Sequence, residues 1–296
     1  MTTQRFLGGA WAAMHGPADA EKFLVWCLDH GFQGVVPART PRPFHWAGLR
    51  SVLAELPVQV PAVRVGGLLE VADLPEAGIC SSQEGEQAQS FKHIEDCVAL
   101  AHHLGCPRVI LEPGVAQISG EDGEVDLGDS DWSADAAQSQ FARRQSVIDA
   151  ALDRACRFFF RLCGAFPDTE FCLTGSRHVF GLGEPRSLAA IFEDLPSRKL
   201  RYWHDAPVAA RRAELFGTEQ GEWLENFTNQ FSGMTLGDTS AGRMYLPPGA
   251  GGVDYPLLGA YRLRSSGAML AVIELDPGVD AGELPGVSAY LDKFGL

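Results

Sequence analysis

Short apolar runs alternate with longer amphipathic segments along most of the chain. Eight such runs are bounded by Gly, Pro or polar residues, as buried strands are, and they lie at residues 6–11, 34–38, 57–65, 108–111, 169–173, 200–204, 233–236 and 268–273. The segments between them predict helices at residues 17–30, 46–56, 90–104, 141–166, 184–195, 209–216, 222–230 and 280–294. Repeated strand–helix units predict parallel strands joined by right-handed crossovers. The pattern therefore predicts an α/β fold, a single (β/α)8 TIM barrel.

The length of 296 residues fits this fold, because a barrel of this kind takes about 250 residues and tolerates loop insertions. No shift in composition marks a domain boundary, so we expect one domain over residues 1–296. Residues 115–139 depart from the alternation, because they are polar and rich in Gly, Asp and Ser. Such a segment is typical of a long loop, and we expect an irregular excursion over the mouth of the fourth strand.

The balance of charges limits the partners. The formal net charge of −14 disfavours nucleic acid and anionic membrane surfaces, because phosphate groups bind basic faces. The sequence has neither a signal peptide nor a run of apolar residues long enough to span a bilayer, so no membrane partner is expected. The seven cysteines are odd in number, form no C-x-x-C motif and lie mostly in apolar runs. They predict reduced, buried thiols in a cytoplasmic protein.

Carboxylates follow several of the predicted strands. Asp238 follows Met-Thr-Leu-Gly and Glu274 follows Leu-Ala-Val-Ile, while Asp205 and Glu112 come directly after the sixth and fourth runs. In an α/β barrel the C-terminal ends of the strands meet at one mouth, which is where ligands bind. The sequence therefore predicts a cluster of acids at the mouth.

Two histidines and one tryptophan are also expected on this side of the barrel. His15 follows the first strand and His178 lies in the loop after the fifth, so both are pocket candidates. Trp11 ends the first predicted strand and is a candidate for stacking on a sugar ring, although most tryptophans in a barrel are core residues. No phosphate-binding glycine loop, G-x-S-x-G or dinucleotide motif accompanies them.

Four stretches resemble motifs of the xylose isomerase-like barrels, the broad family of sugar phosphate isomerases and epimerases. They are A-L-A-H-H-L-G-C-P-R-V-I-L at residues 99–111, L-R-Y-W-H-D at 200–205, L-P-P-G-A-G-G-V-D-Y at 246–255 and V-I-E at 272–274. The resemblance covers nearly the whole chain. It implies a TIM barrel with a small carbohydrate-like ligand, and active members of the family hold a divalent cation in the mouth.

The resemblance implies a degenerate metal site, in which some of the family's usual ligands are replaced. Its usual ligands are a Glu ending the fifth strand, an Asp after the sixth, a His in the seventh and a Glu ending the eighth. Asp205 and Glu274 fill two of these positions, but Thr174 and Thr235 stand where the Glu and the His are expected. Neutral hydroxyls are poor ligands, and a bound cation needs several protein ligands. The remaining acids would therefore hold Mg²⁺ or Mn²⁺ weakly, or no cation at all.

Two interpretations of the mouth stay open. In the first, Asp205 and Glu274 face each other, raise each other's pKa and act as an acid–base pair or as weak metal ligands. The protein is then an isomerase or epimerase that moves a proton beside a carbonyl of a small polyol or keto substrate. In the second, each acid pairs with an arginine, such as Arg243, Arg177 or Arg201. The protein is then a metal-free pseudoenzyme or a small-molecule binding protein.

The expected pocket is the same on both interpretations. Its candidate lining residues are Trp11, His15, Glu112, Thr174, His178, Thr235, Asp238 and Arg243. Asp238 or Glu112 is also a candidate to replace a lost metal ligand. A DNA-repair nuclease is disfavoured by the missing metal histidines and the acidic balance. Barrels of this family often pair, so a homodimer is compatible with the sequence.

Overall fold

The computed structural model of the chain describes residues 3–40, 42–67, 75–118, 126–128, 133–262 and 269–296. Its main sheet contains the strands β1 Thr3–Gly8, β2 Val35–Val36, β3 Val63–Arg64, β4 Arg108–Leu111, β5 Glu170–Thr174, β6 Leu200–Asp205, β7 Phe231–Leu236 and β10 Met269–Ile273. They are all parallel, in the order β2-β1-β10-β7-β6-β5-β4-β3. Backbone N–H groups of Gln59 and Arg64 donate to the carbonyls of Gln33 and Pro37, which joins the two ends of this order. The sheet is a nearly closed barrel, and the predicted TIM barrel is confirmed.

Helices surround this sheet. Those in the described residues are α1 Gly9–His15, α2 Ala20–Asp29, α3 Glu84–Leu104, α4 Ala134–Arg143, α5 Ile148–Ala165, α6 Pro185–Asp194, α7 Ala206–Phe216, α8 Glu222–Asn226, α9 Tyr255–Arg262 and α10 Leu284–Asp292. Short 3₁₀ segments lie at Trp46–Ser51, Ala77–Cys80, Arg144–Ser146 and Ala281–Glu283. Within the described ranges, no helix has the length and apolar character needed to cross a membrane.

Two layers of apolar side chains hold the barrel together. Along β10, Leu270 and Val272 belong to an inner cluster, whereas Met269, Ala271 and Ile273 pack in the outer core against the helices. Successive side chains of a strand point to opposite faces, which explains the alternation. The inner cluster also contains Phe6, Val36, Ala62, Ile110, Cys172 and Trp203. It fills the barrel interior, so the next inward position of each strand lies at the mouth.

A short hairpin that the sequence pattern does not predict follows β7. It consists of β8 Asp238–Ser240 and the antiparallel β9 Arg243–Leu246. Two of its residues, Ala241 and Tyr245, have positive φ values of 49° and 59°. A positive φ costs a residue with a side chain roughly 1–2 kcal/mol. The hairpin therefore holds Tyr245 in a conformation that its residue type disfavours.

Several predicted boundaries are wrong. The first strand ends at Gly8, and the apolar run continues to residue 11 because the first turn of α1 is buried as well. The predicted helix at 46–56 is only a 3₁₀ segment, and the one predicted at 90–104 begins earlier, at Glu84. The predicted helix at 141–166 is two helices, because the 3₁₀ turn Arg144–Ser146 interrupts it.

The predicted excursion at 115–139 lies partly outside the described residues, which omit 119–125 and 129–132. Its described parts pack on the loop that follows β5. Val115 forms an antiparallel bridge with Gly181, and Asp126 forms one with His178. From Ala134 onward the chain is helical, in α4. Val115 and Asp126 of this segment therefore pair with the loop at the C-terminal end of β5.

Candidate active site at the barrel mouth

Charged side chains occupy the mouth, one inward position above the apolar interior. Arg64 ends β3, Glu112 follows β4, Asp205 ends β6 and Glu274 follows β10. All four residues are at most 8% exposed. Burying a charge is costly unless the charge is paired and hydrogen-bonded. The properties of the site therefore depend on how these groups contact one another.

The guanidinium of Arg64 lies between two residues at positions where the resemblance implies metal ligands. Its Nη2 donates to Asp205 Oδ2 at 3.2 Å, and its Nη1 donates to Thr235 Oγ1 at 3.4 Å. Burial lowers the pKa of Arg64, but the neighbouring groups Tyr245, Asp205 and Glu274 raise it, and the net result is a pKa above the ordinary value. Arg64 therefore supplies a permanent positive charge at the mouth.

Glu274 lies beside β1. The backbone N–H of Trp11 donates to Glu274 Oε1 at 3.4 Å. Gly8 leaves room for the carboxylate, because a Cβ at that position would lie 2.1 Å from Glu274 Oε2. Burial raises the pKa of Glu274 to about 7, with Arg64 and the Trp11 N–H opposing the shift and Asp205 adding to it. Glu274 therefore populates both protonation states near neutral pH, as an acid–base residue requires.

Asp205 is held from three directions. Its Oδ2 accepts from Arg64 and from the hydroxyl of Tyr245, the latter at 3.3 Å. Its Oδ1 accepts from Val208 N at 3.4 Å, so Asp205 is also the N-cap of α7. Burial raises the pKa of Asp205, while these hydrogen bonds and the charge of Arg64 oppose the shift. Asp205 and Glu274 were predicted to raise each other's pKa, but burial is the main cause of both shifts.

A second carboxyl pair lies next to β4. Ser176 Oγ donates to Glu112 Oε2, and Glu112 N donates to Glu76 Oε1 at 3.3 Å. Burial raises the pKa of Glu112, and burial followed by the charge of Glu112 raises that of Glu76 to about 7. Glu76 is 1% exposed, and its Oε2 has no hydrogen-bond partner in the part of the chain that the structure describes. Glu76 is therefore readily protonated beside Glu112.

The two threonines at the mouth differ in their contacts. Thr235 Oγ1 accepts from Trp203 Nε1 at 2.9 Å in addition to Arg64. Gly233 makes this possible, because a Cβ there would lie 2.4 Å from the Trp203 ring. Thr174 is fully buried, and its Oγ1 lacks a partner among the described residues. Thr235 thus links the barrel interior to Arg64, and Thr174 brings an unused hydroxyl to the mouth.

Asp238 holds a loop, which corrects its predicted role in the pocket. Its Oδ1 accepts from the backbone N–H groups of Thr239 and Val253, and its Oδ2 accepts from that of Gly249 at 2.9 Å. Asp238 lies beyond the end of β7, at the start of β8, and it is fully buried. The carboxylate therefore fastens the glycine-rich loop at residues 246–255.

Two of the three arginines predicted to pair with the acids have other partners. Arg177 pairs with Asp126, and Arg201 donates to a backbone carbonyl at 3.1 Å. Arg243 is exposed on β9. The arginine that forms the ion pair at the mouth is Arg64, which the sequence pattern did not single out.

The aromatic candidates lie near the mouth but contact other groups. Trp11 lies within α1 and does not end a strand; it is 0% exposed, and its Nε1 donates to a backbone carbonyl at 2.9 Å. His15 stacks on Trp11 at 4.6 Å between ring centroids, with Nε2 3.0 Å from the carbonyl of Pro277. The Nδ1 of His178 accepts from a backbone N–H, and burial lowers the pKa of this histidine to about 4. The Trp11 indole is therefore not placed to stack on a ligand.

The donor set at the mouth does not fit a resident divalent cation. Only Asp205 and Glu274 supply carboxylates at the positions that the resemblance implies, and Arg64 already contacts Asp205 and Thr235. A permanent positive charge at this point opposes the binding of a second cation. In the described ranges no cluster of three or more His, Cys, Asp and Glu side chains is arranged to hold a metal ion. The chemistry of the mouth therefore rests on the guanidinium and the carboxyl groups.

A cavity of about 230 Å³ adjoins the mouth at Tyr245. Its other lining residues are Gly128, Arg177, Arg243, Met244, Asp276 and Pro277. Tyr245 both lines this cavity and donates a hydrogen bond to Asp205. The tyrosine ring therefore stands between the cavity and the buried acids, and Arg243 belongs to the outer cavity.

Sequence reasoning missed three contributors to the mouth. The sequence could have indicated Arg64, because it is the one charged residue in the apolar run V-P-A-V-R-V. No sequence feature indicated Tyr245, since it lies in a hairpin that no periodicity predicts. Glu76 lies in a segment without helical or strand spacing, and only the packing of that segment brings it to Glu112.

Comparisons with known proteins bear on the fold. No protein-family model and no curated protein matches the chain. Among solved structures, the chain is similar to L-ribulose 3-epimerase, with 15% identity, a TM-score of 0.66 and coverage of 98% of this chain and 86% of the other. It is also similar to D-psicose 3-epimerase from Clostridium cellulolyticum H10, with 10% identity, a TM-score of 0.67 and coverage of 99% and 98%. The IolI protein with a bound zinc atom matches with 9% identity, a TM-score of 0.64 and coverage of 99% and 98%. At such low identities the likeness concerns the fold alone.

Proposed function

Because the chain adopts the xylose isomerase-like TIM barrel fold, we propose that its mouth binds a small polyol or keto compound and moves a proton beside the carbonyl group. The reaction class is isomerisation or epimerisation, without a resident metal ion. Glu274 is the acid–base residue and Arg64 the group that polarises the carbonyl. A fold of this kind hosts many chemistries, so the proposal rests on the side chains at the mouth.

One observation carries the proposal: Glu274, with a pKa raised to about 7, lies in the same buried cluster as the permanently charged Arg64. A base whose pKa is near the working pH combines a useful ionised fraction with a useful proton affinity. A fixed cation in a water-poor mouth stabilises negative charge better than the same cation in water. Proton abstraction beside a carbonyl requires these two features together.

The proposed epimerisation proceeds in two proton transfers. Ionised Glu274 removes the proton from the carbon beside the carbonyl, and the C–H electron pair forms a C=C bond while the carbonyl π electrons move to oxygen. Arg64 donates hydrogen bonds to the resulting enolate oxygen. A protonated carboxyl group on the other face of the substrate returns a proton to the same carbon, and the carbonyl reforms. Glu112 is the candidate for this second group, because burial raises its pKa.

Access to the acids involves Tyr245. Asp205 and Glu274 are 2% and 3% exposed, and the Tyr245 hydroxyl donates to Asp205 from the side of the outer cavity. A ligand that reaches Arg64 from that cavity has to displace this ring. The ligand hydroxyl groups would then replace the phenol as partners of Asp205, which suits a polyol.

A metal-free pseudoenzyme or small-molecule binding protein is the second candidate, and the ion pair of Arg64 with Asp205 favours it. The charge of Arg64 is already compensated in this pair, and Tyr245 covers Asp205. A protein of this kind would bind the same compounds at the mouth and leave their C–H bonds intact.

Hydrogen exchange separates the two candidates. The protein is incubated in D2O with L-ribulose, D-fructose and D-tagatose in turn, and loss of the proton beside the carbonyl is followed by proton NMR. The proposed enzyme exchanges this proton in at least one ketose, and a Glu274→Gln variant does not. Glu225→Gln, which changes an exposed glutamate of α8, is the matched control and retains exchange.

Binding measured on the same ketoses completes the test. Saturable binding without exchange, lost in an Arg64→Met variant, would support the binding protein. Exchange that persists in Glu274→Gln at the rate of the unchanged protein would rule out the acid–base role of Glu274.

A further inference from the structure

A larger cavity, of about 420 Å³, lies outside the barrel among helices α4 to α8. It is distinct from the mouth. Ser176 stands between the two, since its carbonyl accepts from Arg212 of the cavity wall while its hydroxyl donates to Glu112 at the mouth. The volume falls in the range of about 300–1,000 Å³ that is usual for small-molecule sites.

Two buried arginines and one carboxylate form the inner wall of this cavity. Arg144 and Arg212 are each 2% exposed, and both line the cavity with Glu184. The Nη2 of Arg144 donates to Glu184 Oε1 at 2.6 Å and to Ser187 Oγ at 2.7 Å. The Nε of Arg144 is buried and has no hydrogen-bond partner among the described residues. One N–H of Arg144 and the Oε2 oxygen of Glu184 therefore lack hydrogen-bond partners in the described part of the chain.

Arg212 adds a second positive charge to the inner wall. In the described part of the chain its hydrogen bonds run from Nε and Nη2 to the carbonyls of Ser176 and His178. Burial lowers the pKa of Arg212 to about 10, and the charge of Arg144 acts in the same direction while Glu184 and Glu112 oppose it. The inner wall thus brings two buried guanidinium groups together beside the carboxylate of Glu184. Buried charge of this kind is costly unless an anion compensates it.

The side walls of the cavity are apolar. They consist mainly of Phe141, Ile148, Leu152, Phe216 and Trp223. The rim of the cavity is charged, and Asp149 and Arg186 are exposed there. An occupant therefore meets cations at the inner end, apolar and aromatic surface along its length, and mixed charges at the opening.

We propose that this cavity binds a small organic anion with an apolar body, such as an aromatic carboxylate, whose carboxylate reaches Arg144 and Arg212. A planar carboxylate suits a guanidinium, because two parallel N–H···O bonds can form. The apolar body packs against Phe141, Phe216 and Trp223. The site is independent of the proposed reaction at the mouth, so either can hold without the other.

Isothermal titration calorimetry with benzoate tests the proposal on the whole chain. Benzoate is expected to bind saturably, with a Kd below about 1 mM. Benzyl alcohol, which keeps the ring and lacks the charge, and acetate, which keeps the charge and lacks the ring, are each expected to bind at least about tenfold more weakly.

A pocket-filling variant locates the binding. Ala190 of α6 lines the cavity and is half-buried, so Ala190→Phe is expected to weaken benzoate binding at least about tenfold. Ala150→Phe places the same ring at an exposed position of α5 and leaves the affinity within about twofold. Circular dichroism and thermal melting show whether each variant is folded.

Three results would overturn the proposal. They are the absence of saturable benzoate binding, equal affinities for benzoate and benzyl alcohol, and unchanged benzoate binding by folded Ala190→Phe. The second result would reduce the site to an apolar cleft, and the third would place the benzoate elsewhere on the protein.

Discussion

Arg64 of β3 and Asp205 of β6 form an ion pair across the barrel mouth, with Nη2 and Oδ2 3.2 Å apart. Strands β4 and β5 lie between theirs in the sheet, so the pair joins strands that share no backbone hydrogen bonds. The two side chains are 9% and 0% exposed. The guanidinium contacts the Asp and Thr at positions where the resemblance implies an Asp and a His bound to a cation. The balance of charge at the mouth therefore depends on Arg64.

Removing Arg64 is expected to destabilise the protein. Arg64→Met leaves the carboxylate of Asp205 buried and without its cation, which costs about 3–5 kcal/mol of unfolding free energy. Arg64→Met combined with Asp205→Asn removes both charges and should recover a large part of this loss. Urea denaturation of the unchanged protein, the two single variants Arg64→Met and Asp205→Asn, and the double variant measures the coupling energy between the two residues. Additive effects of the two single substitutions would show that the ion pair contributes little.

Glu274 should make stability fall as pH rises towards neutrality. Its pKa is 4.5 in the absence of perturbation and about 7 in the folded protein, so between these values the folded protein binds a proton that the unfolded chain releases. By linkage, the contribution of Glu274 to stability is lost through this window and amounts to on the order of 3 kcal/mol. Glu274→Gln imitates the protonated form. The variant should be more stable than the unchanged protein near pH 8 and about equal to it near pH 4, below the unfolded pKa, as measured by urea denaturation at both values.

The same titration should appear in any exchange activity, since only ionised Glu274 accepts a proton. The rate is expected to rise with pH through about 7. A rate that stays flat across this range would assign the base to a group other than Glu274.

Gly8 is expected to be required for the position of Glu274. A Cβ at Gly8 would lie 2.1 Å from Glu274 Oε2, so Gly8→Ala must displace the carboxylate and should abolish exchange while the barrel still folds. Gly164→Ala is the matched control, because nothing lies within 4 Å of a Cβ at that position of α5. The control should raise the unfolding free energy by roughly 0.5–1 kcal/mol. Full activity of Gly8→Ala would contradict the placement of Glu274.

Tyr245→Phe should have a modest effect on stability and a larger effect at the mouth. The substitution removes the hydrogen bond to Asp205 Oδ2, which is worth about 0.5–1.5 kcal/mol. It also removes a partner that a bound polyol has to displace, so ketose affinity at the mouth is expected to increase. Tyr290→Phe, which changes a half-buried tyrosine of α10, is the control. Calorimetric titration with the same ketoses provides the measurement, and a weakened affinity would argue that Tyr245 binds the ligand directly.

Asp238 is expected to affect stability rather than chemistry. Its carboxylate accepts three backbone N–H groups of the loop and hairpin, and Asp238→Ala leaves these donors without their acceptor, at a cost of about 3 kcal/mol or more. Asp238→Asn retains one acceptor oxygen and should cost less. Thermal melting compares the variants. A change in the pH dependence of exchange would instead indicate that Asp238 takes part in the reaction.

The alternation of apolar runs and amphipathic segments was enough to predict the barrel. It located every strand of the main sheet, because each strand needs an apolar run between polar boundaries, but the predicted strand at 57–65 is only the two-residue β3. It failed at β8 and β9, which are short and pair only with each other, and at α1, where a buried helix turn continues the apolar run of β1. The acids Asp205 and Glu274 could be predicted as mouth residues, since each comes at the end of a strand.

What the sequence by itself determined is therefore the fold and the positions from which side chains reach the mouth, because both follow from periodicity and strand ends. Only the tertiary structure decided which charges meet there. Arg64 and Asp205 are 141 positions apart in the chain, and Glu76 and Glu112 meet through a segment without periodic spacing. Asp238, next to a strand end like the others, accepts backbone N–H groups of a loop instead. Charge compensation depends on distances of a few ångströms between distant segments, and periodicity along the chain carries no information about those distances.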